Sequence, residues 1–279
     1  MTDKLTPEQV SAAQQLISSA ANIVILTHTS PDGDAMGSSL GMMHYLRGLG
    51  KRATVVAPNP FPSFLAWMPG AQEVIVYETH AKDANVVLET ADLAICTDFN
   101  EPKRIGMVGD KLKALTCPKI LIDHHLHPAD FADVTISYFD SPSASELVYR
   151  LIWQLNAPLT KDAATCLYTG MMTDTGNFSF NSNHPEMYEI VGRLVSLGVD
   201  KDAVYNAVFN SYSADRMRLM GYCLYQKMRI FPEYHTALIY LSRKELYKFN
   251  FQSGDAEGIV NLPLQIKDVY YSCFMREDK

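Results

Sequence analysis

Three consecutive ionisable residues, Asp123, His124 and His125, are the most suggestive chemical feature of this sequence. They follow an apolar run at residues 120–122, which is typical of a short buried β-strand. In open α/β folds, ligands bind at the edge of the sheet where parallel strands end. A single histidine at such an edge would most simply be a hydrogen-bonded core residue. Two adjacent imidazoles beside a carboxylate favour a metal site instead.

Further acidic and imidazole side chains follow other predicted elements. The apolar residues 22–27 predict a first buried strand, and the turn after it contains Pro31 and Gly33. Residues 93–96 predict another strand, and residues 161–172 predict a helix. Taken singly, each candidate could be an ordinary turn or helix-end residue. Together they form a set of ionisable groups at the ends of elements, namely His28, Asp32, Asp34, Asp98 and Asp174.

These groups offer more ligands than one metal ion takes, and they suit two divalent cations that share a carboxylate. Carboxylate and imidazole without thiolate favour manganese, magnesium or cobalt over structural zinc. Pairs of divalent ions about 3.5–4 Å apart promote in-line displacement at phosphorus, because they stabilise both the attacking and the leaving oxygen. The residue types therefore predict hydrolysis at phosphorus by activated water. Lys103 and Arg104, in the loop after Asp98, are the nearest candidate contacts for a substrate phosphate.

The order of predicted elements indicates how these side chains are positioned. Strands alternate with helical segments, which predicts an α/β fold with a doubly wound, mainly parallel sheet. Phe178 and Phe180 are expected in the core rather than stacked on a nucleobase. A polar stretch at residues 209–215 indicates a linker. We expect a metal-binding catalytic domain, a linker helix and a smaller α/β domain, at residues 1–208, 209–227 and 228–279.

Composition limits the classes of partner. The chain has 279 residues and a formal net charge of −7, which disfavours binding of duplex nucleic acid. Its five cysteines are scattered without a CxxC pair, which predicts reduced thiols and a cytoplasmic location. No apolar run reaches the length of a membrane span, and the first residues lack the apolar segment of a signal peptide. We therefore expect a cytoplasmic protein that does not bind membranes, and a homodimer is left open.

The order of these motifs resembles the DHH phosphoesterase superfamily. The motifs that carry the resemblance are His28-x3-Asp32-x-Asp34, then Asp98, the Asp–His–His run and Asp174, and the resemblance covers nearly the whole chain. Within the superfamily, the sequence is most similar to small cytoplasmic enzymes that act as oligoribonucleases and as phosphoadenosine phosphate phosphatases. Residues 257–261 look like part of the C-terminal domain associated with DHH domains.

The resemblance implies a role for each residue and two Mn²⁺ ions per chain. His28 and Asp32 would bind one manganese, and Asp98 would bridge to the second. The second ion would be held by Asp34, His124 and Asp174. Asp123 would orient a ligand without binding metal. His125 would face the substrate phosphate, where it would stabilise charge or protonate the leaving oxygen.

The sequence departs from the family pattern near its C-terminus. Family members usually carry a glycine-rich segment with a histidine that binds the substrate phosphate, and no Gly–Gly–His run follows Asn261. We therefore expect a shortened C-terminal domain, normal binding of manganese and weak binding of nucleotide.

Several substrates remain open on the sequence alone. The first hypothesis is a manganese phosphoesterase that acts on short oligoribonucleotides and 3'-phosphoadenosine 5'-phosphate. The alternatives with the same chemistry are an exopolyphosphatase or pyrophosphatase, and a phosphodiesterase of cyclic or linear dinucleotides. A nucleotide-binding regulator without catalysis is the alternative from another class. It would be favoured by loss of a metal ligand, yet all six proposed ligands are present.

Overall fold

The computed structural model describes residues 4–252 and 254–277, and it divides the chain into two compact units. The first unit ends at Tyr205 and the second begins at Asn206. The predicted domain boundaries at residues 208 and 227 stay predictions. No helix in the described part of the chain is long and apolar enough to cross a membrane.

The first unit is built on a six-stranded sheet in which every pairing is parallel. The strand order is β3-β2-β1-β4-β5-β6. The strands are β1 (Asn22–Leu26), β2 (Arg52–Ala57), β3 (Ile75–Val76), β4 (Leu93–Thr97), β5 (Lys119–Asp123) and β6 (Val134–Ser137). The prediction of a doubly wound parallel sheet is therefore confirmed. The order reverses direction between β1 and β4, and ligands bind next to such reversals in open α/β sheets.

Helices cover both faces of this sheet. On one face, α3 (Tyr77–Thr90) and α4 (Val108–Ala114) pack on an apolar layer that includes Val24, Cys96 and Leu121. The other helices of the unit are α1 (Pro7–Ser19), α2 (Gly33–Gly48), α5 (Ala144–Gln154), α6 (Lys161–Asp174) and α7 (Pro185–Ser196), and α8 (Lys201–Phe209) leads into the second unit. Burial on both faces explains why the strands are continuous apolar runs.

Helices α2 and α6 lie unusually close together. A Cβ atom added to Gly37 of α2 would lie 2.7 Å from both the Cα atom of Gly170 and the carbonyl oxygen of Cys166. A Cβ atom on Gly33 would lie 2.3 Å from Thr173 Oγ1. Glycine is therefore required for this approach, which brings the start of α2 beside the end of α6.

The second unit contains a three-stranded sheet in the order β7-β8-β9. Strand β8 (Thr236–Leu241) pairs antiparallel with β7 (Arg229–Phe231) and parallel with β9 (Tyr271–Arg276). Helix α9 (Ala214–Tyr222) continues into a π-helical turn at Cys223–Lys227. Leu219, Cys223 and Ile239 belong to the small core of this unit. The short helix α10 (Arg243–Lys248) and the 3-10 helix at Ile259–Gln265 were not anticipated from the sequence.

Candidate metal centre

All eight ionisable residues singled out in the sequence converge at the carboxyl edge of the parallel sheet. His28 follows β1, Asp98 follows β4, and His124 and His125 follow β5, whose last residue is Asp123. The remaining carboxylates come from helix ends. Asp32 caps the N-terminus of α2, Asp34 lies in its first turn, and Asp174 is the last residue of α6. The sequence prediction ended this helix two residues earlier.

Six of these residues form two groups whose ligand atoms lie within 4.8 Å of one another inside each group. In the first group, His28 Nε2 is 3.8 Å from Asp32 Oδ2 and 3.4 Å from Asp98 Oδ2. In the second group, His124 Nε2 is 3.8 Å from Asp34 Oδ2 and 3.5 Å from Asp174 Oδ2. The resemblance grouped these residues in the same way, and a third, overlapping group joins Asp98 and His124 with His125.

Asp98 lies between the two groups. Its Oδ2 atom faces His28, and its Oδ1 atom lies 3.3 Å from His124 Nε2. The residue is 2% exposed, and within the described chain no hydrogen-bond donor reaches Oδ1 in bonding geometry. A buried carboxylate oxygen without a donor is costly unless a cation compensates it. The surroundings of Asp98 therefore fit a carboxylate shared between two cations.

Backbone carbonyl groups orient the two imidazoles that face Asp98. His28 Nδ1 is 2.8 Å from the carbonyl oxygen of Thr29, and His124 Nδ1 is 3.2 Å from that of Ser141. A carbonyl can only accept a hydrogen bond, so Nδ1 carries a proton in both rings. In the neutral rings the Nε2 lone pairs then point toward the carboxylates, as metal ligation requires.

Backbone N–H groups orient the carboxylates from α2. Asp32 Oδ1 accepts hydrogen bonds from the N–H groups of Asp34 and Ala35, both at 3.0 Å, which leaves Oδ2 facing His28. Asp34 Oδ2 and Oδ1 accept from the N–H groups of Ala144 and Ser145 at 2.6 and 2.9 Å. These two N–H groups belong to the first turn of α5, where N–H groups have no acceptor within the helix.

His125 is held differently from the other two histidines. Its Nδ1 atom is 2.8 Å from Asp123 Oδ1, and Asp123 Oδ2 accepts a hydrogen bond from the His125 N–H at 3.1 Å. Asp123 is completely buried, whereas 32% of the His125 side chain is exposed. His125 also lies 3.8 Å from Asp98 Oδ1 through the same Nδ1 atom. Because Asp123 already engages Nδ1, the free atom of His125 is Nε2.

Burial and mutual charge shift the pKa values of the cluster strongly. Burial opposes charge on His28, but Asp98 outweighs it and raises the pKa of His28 to about 9. Burial is likewise overcome at His124, where Asp98, Asp34 and Asp174 raise the pKa to about 10. Burial raises the pKa of Asp174 to about 7. Although burial acts in the opposite direction, the two histidines hold the pKa of Asp98 well below its usual value.

Three further residues discussed from the sequence lie around this cluster. Lys103 and Arg104 are exposed on the 3-10 turn Pro102–Ile105, and the Arg104 carbonyl accepts a hydrogen bond from the Thr29 N–H at 2.8 Å. Phe180 was expected in the core, but 51% of it is exposed. The reason is local, because the chain turns at Gly176 directly after α6 and places the Phe180 ring over that glycine.

The sequence analysis missed residues 141–145, which contact two of the candidate ligands. Ser141 bonds to His124 through its carbonyl oxygen, and Ala144 and Ser145 bond to Asp34 through their N–H groups. Ser143 caps α5, and that pattern was recognisable as a helix start. The importance of this helix start for the site was not recognisable, because its contacts to the candidate ligands come from the backbone.

Comparison with known proteins identifies relatives of this chain. The family profile described as "DHH family, N-terminal domain" matches residues 22–171. The chain is 34% identical over 177 residues to the bifunctional oligoribonuclease and PAP phosphatase NrnA of Thermus thermophilus. That alignment covers 63% of this chain. The matched part of this chain spans 50% of the length of the Thermus protein. A probable manganese-dependent inorganic pyrophosphatase of Streptococcus thermophilus is 26% identical over 190 residues. That alignment covers 65% of this chain and 58% of the pyrophosphatase.

A solved structure resembles the whole chain. The crystal structure of an exopolyphosphatase-related protein from Bacteroides fragilis superposes with a TM-score of 0.96 at 46% sequence identity. The alignment covers 100% of this chain and 82% of the other.

Proposed function

This chain belongs to the DHH family, and we propose that it is a manganese-dependent phosphoesterase that binds two Mn²⁺ ions and hydrolyses short oligoribonucleotides and 3'-phosphoadenosine 5'-phosphate. The observation that carries the proposal is the position of Asp98. Its two carboxylate oxygens face two separate groups of ligands, each with one imidazole. In this proposal Asp98 is shared by both ions.

The proposed ligands are His28 and Asp32 for one ion, and Asp34, His124 and Asp174 for the other. When bound, a pair of divalent ions lowers the pKa of water and stabilises the charge of a phosphoryl group under attack. Mn²⁺ suits a site of carboxylates and imidazoles, and Mg²⁺ or Co²⁺ could replace it. The buried, donor-free oxygen of Asp98 supports this arrangement.

His125 is proposed as the residue that handles the leaving group. Asp123 fixes the His125 ring through Nδ1, which leaves Nε2 for another partner, and the side chain is partly exposed. A protonated Nε2 can donate to a phosphate oxygen or to the leaving oxygen, and the Asp123 carboxylate would compensate the charge of the ring.

The nucleotide substrate is proposed from the relatives and from the surface beside the site. The name of the Thermus relative includes both the oligoribonuclease and the phosphatase activity. Phe180 offers an exposed aromatic ring a few residues after Asp174, where a nucleobase could stack. Lys103 and Arg104 are proposed as phosphate contacts, because their loop is hydrogen-bonded to the residue after His28.

A second candidate is hydrolysis of inorganic polyphosphate or pyrophosphate. The name of the Bacteroides protein, 46% identical across the whole chain, refers to exopolyphosphatases. The Streptococcus relative is a probable pyrophosphatase. Both reactions would use the same metal ligands. Their substrates differ from those of the first proposal in having no nucleobase.

A substrate panel with Mn²⁺ tests the two candidates. It contains 3'-phosphoadenosine 5'-phosphate, a linear dinucleotide, a cyclic dinucleotide, polyphosphate and pyrophosphate. We expect hydrolysis of the first two substrates and loss of that activity in Asp98→Asn. Hydrolysis of polyphosphate or pyrophosphate alone would favour the second candidate. Nucleotide binding without any hydrolysis would contradict both.

A further inference from the structure

The turn before α5 contacts two ligands that belong to the same metal group. The Ser141 carbonyl lies 3.2 Å from His124 Nδ1, and the N–H groups of Ala144 and Ser145 donate to both oxygens of Asp34. Residues 141–146, called here the α5 turn, therefore fix the ring orientation of His124 and the carboxylate plane of Asp34. Both are ligands of the second proposed ion.

A buried side-chain network holds the α5 turn. The Ser141 hydroxyl lies 3.2 Å from Glu146 Oε2 and 3.3 Å from the Ser143 carbonyl oxygen. The Glu146 N–H donates to Ser143 Oγ at 3.1 Å, and Arg150 Nε donates to Glu146 Oε1 at 2.5 Å. Glu146 is 3% exposed and Arg150 is 5% exposed, so the pair is shielded from water.

This network differs from an ordinary helix cap in one respect. A glutamate in the third helical position usually accepts from the N–H group of the capping residue. Here Glu146 accepts from the hydroxyl of Ser141, two residues before the cap Ser143. The Glu146 carboxylate therefore holds Ser141, whose carbonyl group orients His124.

The first metal group is held by other parts of the chain. His28 bonds to the neighbouring Thr29 carbonyl, and Asp32 accepts N–H groups from the start of α2. In the part of the chain that the structure describes, no hydrogen bond joins the α5 turn to His28 or Asp32. The two groups share Asp98, and the Asp34 N–H group also bonds to Asp32, but the α5 turn itself bonds directly to ligands of the second group.

From this separation we propose that Glu146 is a positioning residue that acts through Ser141 on one metal site only. It sets the affinity for the ion held by Asp34, His124 and Asp174, and leaves the affinity for the ion at His28 and Asp32 unchanged. Residues that support metal ligands typically change metal affinity by about 10- to 100-fold when they are mutated. The inference rests on the proposed two-ion site.

Equilibrium titration with Mn²⁺, with free Mn²⁺ counted by electron paramagnetic resonance, tests the proposal without any substrate. Ser141→Ala removes the hydroxyl that links the turn to Glu146 and leaves the Glu146–Arg150 pair in place. We measure it in two backgrounds. Asp32→Asn weakens the first site and isolates the second, whereas Asp174→Asn weakens the second site and isolates the first.

The expected result is asymmetric. Ser141→Ala raises the Kd for Mn²⁺ about 10-fold in the Asp32→Asn background. In the Asp174→Asn background the Kd stays the same. Equal changes in both backgrounds, or no change in the Asp32→Asn background, would overturn the proposal. A wild-type protein that binds fewer than two ions would instead contradict the proposed function, so the two failures are distinguishable.

Two further variants separate positioning from general loss of structure. Ser39→Ala is the matched control, because Ser39 is also a buried serine, and its hydroxyl donates to the Ala35 and Met36 carbonyls within α2. It should leave both Mn²⁺ constants unchanged. Glu146→Gln should weaken the second site, and adding it to Ser141→Ala should cause no further loss, because both act through one contact. Additive losses would contradict action through Ser141. If Glu146→Gln does not fold, the asymmetry of Ser141→Ala alone decides.

Discussion

Asp98 has a backbone conformation that few residues adopt. Its φ angle is 64°, in the left-handed region, and its N–H donates to the Ile122 carbonyl at 3.0 Å. Among residues other than glycine, Asp and Asn tolerate this region best. Backbone strain of this kind is retained when the surrounding structure enforces it, and it is frequent at functional sites. In this chain the conformation directs the carboxylate between the two histidines.

Asp98→Asn separates the charge of this residue from its backbone geometry. Asparagine fits the same φ angle and the same volume, so the fold should persist. Loss of the shared negative charge should weaken both Mn²⁺ sites and reduce hydrolysis below detection. Thermal unfolding, Mn²⁺ titration and a phosphodiesterase assay check the three expectations. A variant that retains wild-type hydrolysis would refute the shared role of Asp98.

His125→Ala should reduce turnover but retain the bound Mn²⁺ ions. The Nδ1 atom of His125 is engaged by Asp123, so the metal ligands should remain in place. Turnover should fall by about 10²-fold or more, as for loss of a proton donor or charge stabiliser. Parallel measurement of kcat and of bound Mn²⁺ tests this. A variant that loses an ion would mean that His125 and not His124 is the ligand.

The metal-free cluster should make stability dependent on pH. Pairing with carboxylates raises the pKa of His28 from 6.5 to about 9 and that of His124 to about 10. Their contribution to stability is therefore complete below pH 6.5 and is lost as the pH rises through 9 and 10. Burial raises the pKa of Asp174 from 3.8 to about 7. Asp174 therefore changes stability mainly between these two pH values, below the range in which the two histidines do.

Urea denaturation of the metal-free protein at several pH values between 7 and 10 measures this loss. The free energy of unfolding should fall across the window. His124→Gln serves as the comparison, because it removes one of the two titrating groups and keeps the other ionisable residues. The fall should be smaller in the variant. An equal fall in both proteins would show that pairing of His124 with the carboxylates does not contribute to it.

At the scale of elements, the close contact of α2 and α6 sets the distance between the candidate ligands at their ends. Helix α2 begins with Asp32 and Asp34, and α6 ends with Asp174. Gly37→Ala would force a methyl group to within 2.7 Å of α6 backbone atoms. We expect destabilisation by about 1–3 kcal/mol, as for overpacking of a core.

The matched control is Gly48→Ala, because Gly48 lies at the end of the same helix and its Cβ atom would meet nothing within 4 Å. Alanine has the higher helix propensity, so this variant should be neutral or more stable by up to about 1 kcal/mol. Thermal unfolding of the two variants checks the contrast. Equal stability of Gly37→Ala and wild type would show that the helices can separate at little cost.

The sequence predicted the strands of the first unit well, because they are short, apolar and buried on both faces. The strands predicted at residues 22–27 and 93–96 each agree with the structure to within one residue, since β1 is Asn22–Leu26 and β4 is Leu93–Thr97. The second unit was harder, since α10 and the π-helical turn at Cys223–Lys227 have no distinctive pattern. Capping boxes such as that of Ser242 and Glu245 become persuasive only when a longer periodic segment follows.

The site was predictable in part for a physical reason. Parallel strands end at one edge, so ionisable residues that follow several strands must meet there. The grouping of the ligands came from the family resemblance and stays a prediction, although the side chains concerned lie close together. The contributions of Ser141, Ala144 and Ser145 could not be predicted, because their carbonyl and N–H groups are common to all residue types. The exposure of Phe180 also depends on a turn geometry that the sequence pattern did not reveal.

At the scale of the whole molecule, negative charge is concentrated where the sheet ends. The chain carries a formal net charge of −7, and five aspartates converge at this edge, namely Asp32, Asp34, Asp98, Asp123 and Asp174. Buried carboxylates repel one another unless cations or protons compensate them. Two divalent cations would supply four positive charges and would make the edge suitable for an anionic substrate.

The number of Mn²⁺ ions bound per chain tests this account most directly. Purified protein is stripped of metal and titrated with Mn²⁺ at neutral pH, and free Mn²⁺ is counted by electron paramagnetic resonance. The account predicts two bound ions per wild-type chain, with weakened binding of both in Asp98→Asn. One bound ion or none in the wild type would contradict the shared carboxylate at the centre of the proposed mechanism.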